Sequence, residues 1–352
     1  MLSERMKSLT PYTPGEQPQD KSYIKLNTNE NPYPPTPRIH DFLASFDIDR
    51  LRLYPDPVSL KLKEALARDK GLSTENVFLS NSSDEALSFA FYAFFDGPRG
   101  NLLFPEFTYT FYPVYAEYYG IPYTRMPLRK DFTISLDDFL SPRSCGIILP
   151  NPNAPTGIAL ELSEIRRFLD SYPSDRVVII DEAYVDFGAR SAVELINDYP
   201  NLMVIQTFSK CKSLAALRLG FALAQEPLIK AISTVKDSFN SYPVDLLAQN
   251  IGVLAVEDRE YYAKINAAII RTREDFSRRL LDRGWQVLPS KTNFVFTRKQ
   301  GITGKEVYSR LKEEGFLVRY FSQEGISDFV RISIGTDRDM DALTDAMDRL
   351  FV

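Results

Sequence analysis

The stretch Thr207-Phe-Ser-Lys210-Cys-Lys-Ser-Leu-Ala-Ala-Leu-Arg218-Leu-Gly220 follows a continuous apolar run, Leu202-Met-Val-Ile-Gln206. A short apolar run of this kind reads as a buried strand, so the stretch is a loop delivered by a strand's end. It offers two hydroxyls (Thr207, Ser209), an amine (Lys210) and a guanidinium (Arg218) among the small or apolar Cys211, Leu214, Ala215, Ala216 and Leu217. An amine desolvated beside another cation loses its proton easily and becomes a nucleophile toward carbonyls near neutral pH. Hydroxyls and a guanidinium suit a phosphate, which the planar guanidinium binds bidentately. Amine plus phosphate cradle suggests pyridoxal phosphate; the plain alternative is a solvated lysine on a surface loop.

Composition narrows the field. The 352 residues, 44% hydrophobic and 25% charged, are enough for one large and one smaller globular domain. Net charge is −5 with both signs mixed along the chain, so there is no basic stripe for a nucleic-acid backbone. No apolar stretch reaches membrane-spanning length and Met1–Ser8 lacks the apolar core of a signal peptide, which leads us to expect a cytoplasmic protein that engages no membrane. Cys145 and Cys211 are the only cysteines, too few for a disulfide framework or a cysteine-rich metal site. His40, the only histidine, lies in a proline-rich entry to a helix, which argues against nucleophile–histidine triads and multi-histidine metal centres. We expect no metal, and proton transfer by lysine, carboxylate or tyrosine.

Residues 1–25 are polar and turn-rich, including Leu9-Thr-Pro-Tyr12-Thr-Pro-Gly15, and read as an arm across the body. In Leu26-Asn-Thr-Asn29-Glu-Asn-Pro-Tyr33-Pro-Pro, amides and prolines fix a loop that is either a rigid linker or a substrate contact. Leu53-Tyr54-Pro-Asp-Pro57 is a second rigid turn, after which Ser59 caps a helix that runs to Lys70 and stops at Gly71. Val77–Ser80 predicts a strand leading into Asn81-Ser-Ser83-Asp84-Glu85. Strand, small-residue turn and helix N-terminus offer free N–H groups to an anion; a plain capped helix is the alternative. Asn101–Phe104 predicts another strand, followed by an aromatic-rich helix to Gly120 from which one tyrosine could stack on a flat ring.

Cys145–Leu149 and Arg176–Ile180 predict strands inside a parallel sheet. They deliver the loop Pro150-Asn151-Pro-Asn153-Ala-Pro-Thr156-Gly157 and the run Asp181-Glu182-Ala-Tyr184 at their C-terminal ends, where open α/β sheets bind ligands. With Leu219–Ala224 as an antiparallel partner, the strands predict an α/β sheet covered on both faces. A helical stretch from Asp245 to Leu280 leads into a smaller α+β region. Its expected strands are Trp285–Val287, Asn293–Phe296, Phe316–Arg319 and Phe329–Ile334, with helices near 303–314 and 337–350. Arg331 within the last strand needs an anion, either a structural salt-bridge partner or a substrate carboxylate.

Taken in order, Asn81–Glu85, Asn151–Gly157, Asp181–Tyr184, Ser209-Lys210, Arg218 and Arg331 resemble the fold-type-I aminotransferases that use pyridoxal 5′-phosphate, over nearly the whole chain. Pro11–Gly15, Leu26–Tyr33, Tyr54-Pro-Asp, Thr207–Lys210 and Leu217–Gly220 are similar to the histidinol-phosphate aminotransferase branch of that family. The resemblance implies an N-terminal arm over residues 1–30 that contributes to the small domain and the site. It implies a large, mostly parallel-sheet cofactor domain over 31–240 and a small α+β domain over 241–352.

It further implies Lys210 as the lysine that carries the cofactor and shuttles protons, and Asp181 as partner of the pyridine nitrogen. Tyr184 and Asn153 would be partners of the ring oxygen, the latter because Ala154 stands where the family often has asparagine. Tyr109 would stack on the ring. Ser83, Asp84, Thr207, Ser209 and Arg218 would hold the phosphate, joined by Tyr54 from the other subunit of a homodimer. Tyr12, Asn29, Arg319 and Arg331 would meet substrate. The implied reaction passes the amino group of histidinol phosphate, or a similar amino donor, to 2-oxoglutarate. Relatives with these motifs also transaminate aromatic amino acids or decarboxylate amino-acid phosphates. A cofactor-free binding module on the same fold is a third reading, which the joint presence of Lys210, Asp181 and Tyr184 opposes.

Overall fold

Aliphatic runs without polar alternation can be buried on both faces only inside a sheet covered by helices on either side, and the chain uses them in this way. In the computed structural model, which describes every residue except 1, 3–5, 8, 13, 14, 142 and 352, the elements follow the expected alternation. Thr13 and Pro14 of the proline-rich opening, and most of the first eight residues, lie outside the described residues.

In chain order the elements begin β1 (Ile24–Lys25), α1 (Arg38–Ala44), α2 (Leu60–Lys70), β2 (Val77–Asn81), α3 (Ser82–Phe94), β3 (Asn101–Pro105), α4 (Phe111–Tyr119) and β4 (Tyr123–Met126). There follow β5 (Ser144–Pro150), α5 (Leu162–Ser171), β6 (Val178–Asp181), β7 (Leu202–Thr207), β8 (Leu219–Ala224), α6 (Glu226–Phe239), α7 (Leu246–Glu257) and α8 (Arg259–Asp282). The chain ends with β9 (Trp285–Val287), β10 (Phe294–Lys299), α9 (Gly304–Glu313), β11 (Phe316–Leu317), β12 (Arg319–Tyr320), β13 (Val330–Ser333) and α10 (Asp337–Phe351).

The seven-stranded sheet has the order β2-β8-β7-β6-β5-β3-β4. Its strands are parallel except β8, which runs antiparallel to both β2 and β7. Alternation along the strands sends Leu149, Ile180 and Val204 to a core with α2, α5 and α7. Ile148, Ile179, Met203 and Ile205 face the opposite core with α3, α4 and α6. Because β2, β3, β5, β6 and β7 share one direction, their C-terminal ends lie along one edge. The turns carrying Ser83, Tyr109, Asn153, Asp181 and Lys210 therefore emerge together. A four-stranded antiparallel sheet, β12-β13-β10-β9, builds a second core in which Val295, Val330 and Ile332 meet residues of α8, α9 and α10. Arg273 on α8, 2% exposed, ties the two regions by donating to the carbonyls of Phe187 at 2.8 Å and Thr292 at 2.7 Å.

Several local expectations are corrected. Phe316–Arg319 is not one strand: β11 pairs in parallel with β1 near the N-terminus, and β12 joins β13. The helical stretch from Asp245 breaks at Asp258, whose carboxylate accepts from Tyr261 N. Ser59 does not cap α2 through its side chain; it adopts φ +52, and Asp56 accepts from Leu60 N at 2.8 Å instead. The aromatic helix begins only at Phe111, which leaves Tyr109 in the loop after β3. The partly exposed strand β4 is an addition. Among the described residues no helix is long and apolar enough to cross a membrane.

Candidate active site

Two adjoining cavities open at the C-terminal edge of the large sheet. One, about 250 Å³, is lined by Ser83, Asp84, Tyr109, Asp181, Tyr184, Thr207, Ser209, Lys210 and Arg218 among others. The other, about 180 Å³, is lined by Tyr12, Asn29, Arg319, Phe321 and Arg331, and shares Thr28, Tyr109, Ala154, Tyr184 and Lys210 with the first. Lys210 thus stands at the junction. A larger cavity of about 330 Å³, lined by Lys70, Asp186, Cys211 and Arg259, lies on the other side of the loop after β7 and shares only Thr207 with these two. It contains neither the amine nor the two arginines, so the chemistry belongs to the smaller pair.

The lysine is held at both ends. Its backbone carbonyl accepts from Asn31 Nδ2 at 3.0 Å, and its Nζ donates to the Thr28 carbonyl at 2.9 Å. Burial pushes its pKa down to about 8, with Arg331 and Arg218 adding to the effect while Glu30 and Asp84 oppose it. A neutral amine is therefore accessible close to physiological pH.

Asp181 closes β6, 5% exposed. Burial pushes its carboxyl up to about 6; Tyr112 Oη, donating to Oδ2 at 2.8 Å, and Ala183 N, donating to Oδ1 at 3.2 Å, pull the other way. The adjacent Glu182 sits on the opposite side of the strand. It accepts from Ser191 Oγ, Ala192 N and Gln206 Nε2, which makes it a buried structural anchor.

The turn into α3 shares a cavity with Arg218, Thr207 and Ser209. Asp84, expected to hold a phosphate, instead spends its N–H on Ser82 Oγ and turns its carboxylate to Arg218 and Tyr109. Ser82 has φ +66 and accepts Asp84 N at 3.1 Å. Arg218, at φ +54, reaches Asp84 Oδ2 at 2.8 Å, and Tyr109 Oη donates to Asp84 Oδ1 at 2.9 Å. From the other side, Ser209 N donates to Thr207 Oγ1 at 3.1 Å, and the two hydroxyls lie 3.0 Å apart. Gly220 makes the approach possible: a Cβ there would lie 2.2 Å from Ser83 N and 2.4 Å from the Ser82 carbonyl carbon.

Arg331 and Arg319 sit opposite one another on β13 and β12. Arg331 Nη2 donates to the Asn27 carbonyl at 3.1 Å and its guanidinium lies over Phe294 and Phe321, yet its buried Nε has no partner among the described residues. Among the described residues neither arginine has a carboxylate within salt-bridge distance, so the structural-salt-bridge alternative for Arg331 falls away. Burial lowers the Arg331 pKa, and Arg319 adds to that.

Not every expected residue reaches the cavities. Asn153 is 1% exposed and its Nδ2 is engaged by the Phe107 carbonyl at 2.9 Å and Thr156 Oγ1 at 3.0 Å; the neighbouring Ala154, not Asn153, lines both cavities. Tyr54 lines neither; it is 83% exposed and stacks on Tyr242. Asn29 lines the arginine cavity, but its amide donates to Tyr184 Oη at 2.9 Å. The sequence alone does not point to Tyr112 or the Thr28 carbonyl, which contact Asp181 and Lys210. A buried tyrosine needs a partner for its hydroxyl, but the partner's identity is a tertiary fact.

The model of the family described as aminotransferase class I and II matches residues 21–347. The histidinol-phosphate aminotransferase of Syntrophus aciditrophicus is 57% identical over 354 residues, covering 100% of this chain and 98% of that protein. That of Chromohalobacter salexigens is 46% identical over 346 residues, covering 98% and 97%. In fold, the chain is similar to the crystal structure of histidinol-phosphate aminotransferase from Sinorhizobium meliloti in complex with pyridoxal 5′-phosphate, with a TM-score of 0.88 at 23% identity over 99% of this chain and 96% of that one. With the match running from the N-terminal loop to the last helix, the chain belongs to the class I and II aminotransferases and, within them, to the histidinol-phosphate aminotransferase family.

Proposed function

We propose that this enzyme moves the amino group of histidinol phosphate to 2-oxoglutarate in a ping-pong cycle, as a cytoplasmic homodimer that depends on pyridoxal 5′-phosphate. The observation that carries the reading is the position of Lys210, which lines both a cavity with Asp181, Ser83, Ser209 and Arg218 and a cavity with two arginines that have no carboxylate partner among the described residues.

The residues fit the cofactor. The cup of Ser83 N, Ser209, Thr207 and Arg218 suits a phosphate, and Gly220 lets β8 pack directly against the Ser82–Ser83 backbone that presents Ser83 N. Asp181 at the far end suits a protonated ring nitrogen, Tyr109 offers an aromatic face, and Tyr184 offers a hydroxyl to the ring oxygen. Asn153, with its amide engaged elsewhere, is left out of this set. When bound, pyridoxal phosphate supplies an electron sink for the carbanion that forms as the donor's α-proton leaves.

The chain's own residues do the rest. Asp181, kept ionisable against its burial by Tyr112, holds the proton on the ring nitrogen. Lys210 Nζ, its pKa brought down to about 8 by burial, is the base that takes and returns the α-proton. Arg331 and Arg319 hold the substrate's distal anion. One pocket can serve both half-reactions because guanidinium groups pair bidentately with phosphate and carboxylate alike. The test is a single-turnover panel of amino donors followed by the spectrum of the bound cofactor. Histidinol phosphate should convert it fastest; faster conversion by phenylalanine or tyrosine would remove the specific donor and leave the aminotransferase.

A further inference from the structure

A hydroxyl facing a ring oxygen helps only if its proton points at that oxygen. We infer that Ser333 and Asn29 are positioning residues that fix the direction of the Tyr184 proton, an inference that rests on the role proposed above for Tyr184. The Asn29 backbone N–H, which can only donate, reaches Ser333 Oγ at 2.9 Å. The serine's own proton goes to Asn29 Oδ1 at 3.0 Å. That fixes the amide, with its oxygen toward Ser333 and its Nδ2 toward Tyr184 Oη at 2.9 Å. An amide NH₂ donates and does not accept, so Tyr184 accepts from Asn29 and its own proton is directed into the cavity.

The reversed amide loses on both sides. It would leave the serine's proton without an acceptor and draw the Tyr184 proton onto Asn29. Water cannot repair the difference, since Asn29 is 1% and Ser333 2% exposed. The backbone is fixed as well: Asn293 Nδ2 donates to the Asn29 carbonyl at 2.9 Å, and Asn29 has φ +56, a conformation that asparagine and aspartate tolerate. Ser333 follows Arg331 by two residues on β13, so strand alternation gives both the same face. The strand that presents an arginine to the substrate thereby also orients the tyrosine that follows β6. The charged groups that act on Tyr184 are Arg331, Lys210, Asp181 and Asp84; none of these changes in the test.

The test measures, on cofactor-loaded protein, the pH midpoint of the visible absorbance change and the dissociation constant of pyridoxal phosphate. The variants are Tyr184→Phe, Ser333→Ala, Ser333→Thr and Asn29→Asp. Donation to an oxygen stabilises its charged form, so losing it should raise the midpoint by about one unit and weaken binding about tenfold. Ser333→Ala and Asn29→Asp should behave like Tyr184→Phe, because aspartate offers Tyr184 only acceptors. Ser333→Thr should stay at wild type, and Ser333→Ala should add nothing in the Tyr184→Phe background. Whatever part of the Asn29→Asp shift survives in that background is the bare effect of its charge and is subtracted. If Tyr184→Phe shifts both readouts while Ser333→Ala and Asn29→Asp remain at wild type, the relay is overturned and the role of Tyr184 stands. If Tyr184→Phe shifts neither, that role falls and the relay with it. Should Ser333→Ala fail to fold, Asn29→Asp against Ser333→Thr decides.

Discussion

Tyr112 Oη donates to Asp181 Oδ2 at 2.8 Å, with the tyrosine 0% and the aspartate 5% exposed. A carboxylate buried this deeply would ordinarily take up a proton, and a neutral Asp181 could no longer hold a positive charge on a ring nitrogen. Tyr112→Phe removes the donor and leaves the packing. A hydrogen bond to a charged group contributes roughly 1.5–3 kcal/mol, so cofactor affinity should fall about ten- to a hundredfold. A dissociation constant for pyridoxal phosphate within about twofold of wild type would show that Tyr112 only fills space.

The framework of the large sheet is legible in the sequence because burial on both faces leaves strands such as Val178–Asp181 and Leu202–Thr207 almost wholly aliphatic. The end of such a strand is also where Asp181 and Lys210 are found, so the chemistry is readable with the fold. What escapes is pairing across long sequence distance. β1 with β11, Asn29 with Ser333, and Tyr112 with Asp181 are each made by tertiary placement, and no local pattern encodes them. Substitution between near neighbours escapes as well. Asp56 caps where Ser59 was expected, and Ala154 faces the cavity where Asn153 was expected, because a turn of backbone decides which of two nearby side chains points inward.

The raised Asp181 carboxyl carries a stability signature in the cofactor-free protein. Its folded value of about 6 lies above the ordinary 3.8, so the folded chain binds this proton more tightly than the unfolded chain. The contribution is fully present below the ordinary value and is lost as pH rises through about 6. Wild type should therefore lose stability relative to Asp181→Asn between about pH 4 and 6.5, by up to about 3 kcal/mol. Denaturant unfolding of both proteins across that range measures it. Parallel curves would mean that Asp181 is solvated or compensated in the folded protein.

Arg331 should show opposite effects on stability and on function. It is a largely enclosed cation with an unpartnered Nε and no carboxylate partner among the described residues, so the ligand-free protein bears its desolvation. Arg331→Met replaces the guanidinium that lies over Phe294 and Phe321 with an uncharged apolar side chain. The ligand-free variant should melt no lower than wild type. Its kcat/KM for phosphorylated and dicarboxylate substrates should fall about ten- to a hundredfold, and Arg319→Gln should lower the same substrates while sparing neutral aromatic donors. A large loss of melting temperature in Arg331→Met, with substrate selectivity unchanged, would make the arginine a structural residue.

The last prediction concerns Tyr54. It is 83% exposed, stacks on Tyr242 with ring centroids 4.8 Å apart, and is flanked by the exposed apolar residues Ile48, Leu51, Leu53 and Val58. Contiguous exposed apolar surface marks an interface, and in a two-fold dimer each chain presents the same patch to the other. If Tyr54 completes the phosphate cup of the partner subunit, Tyr54→Ala and Lys210→Ala chains are each impaired at both sites of their own dimers. Mixed and allowed to exchange, half the dimers are hybrids, and one site of each hybrid combines an intact Lys210 with an intact Tyr54. Activity should then recover to about a quarter of wild type. No recovery, with hybrids demonstrated by a mass or affinity tag and both parents severely impaired, would exclude Tyr54 from a shared site and assign the Tyr54–Tyr242 stack to surface packing alone.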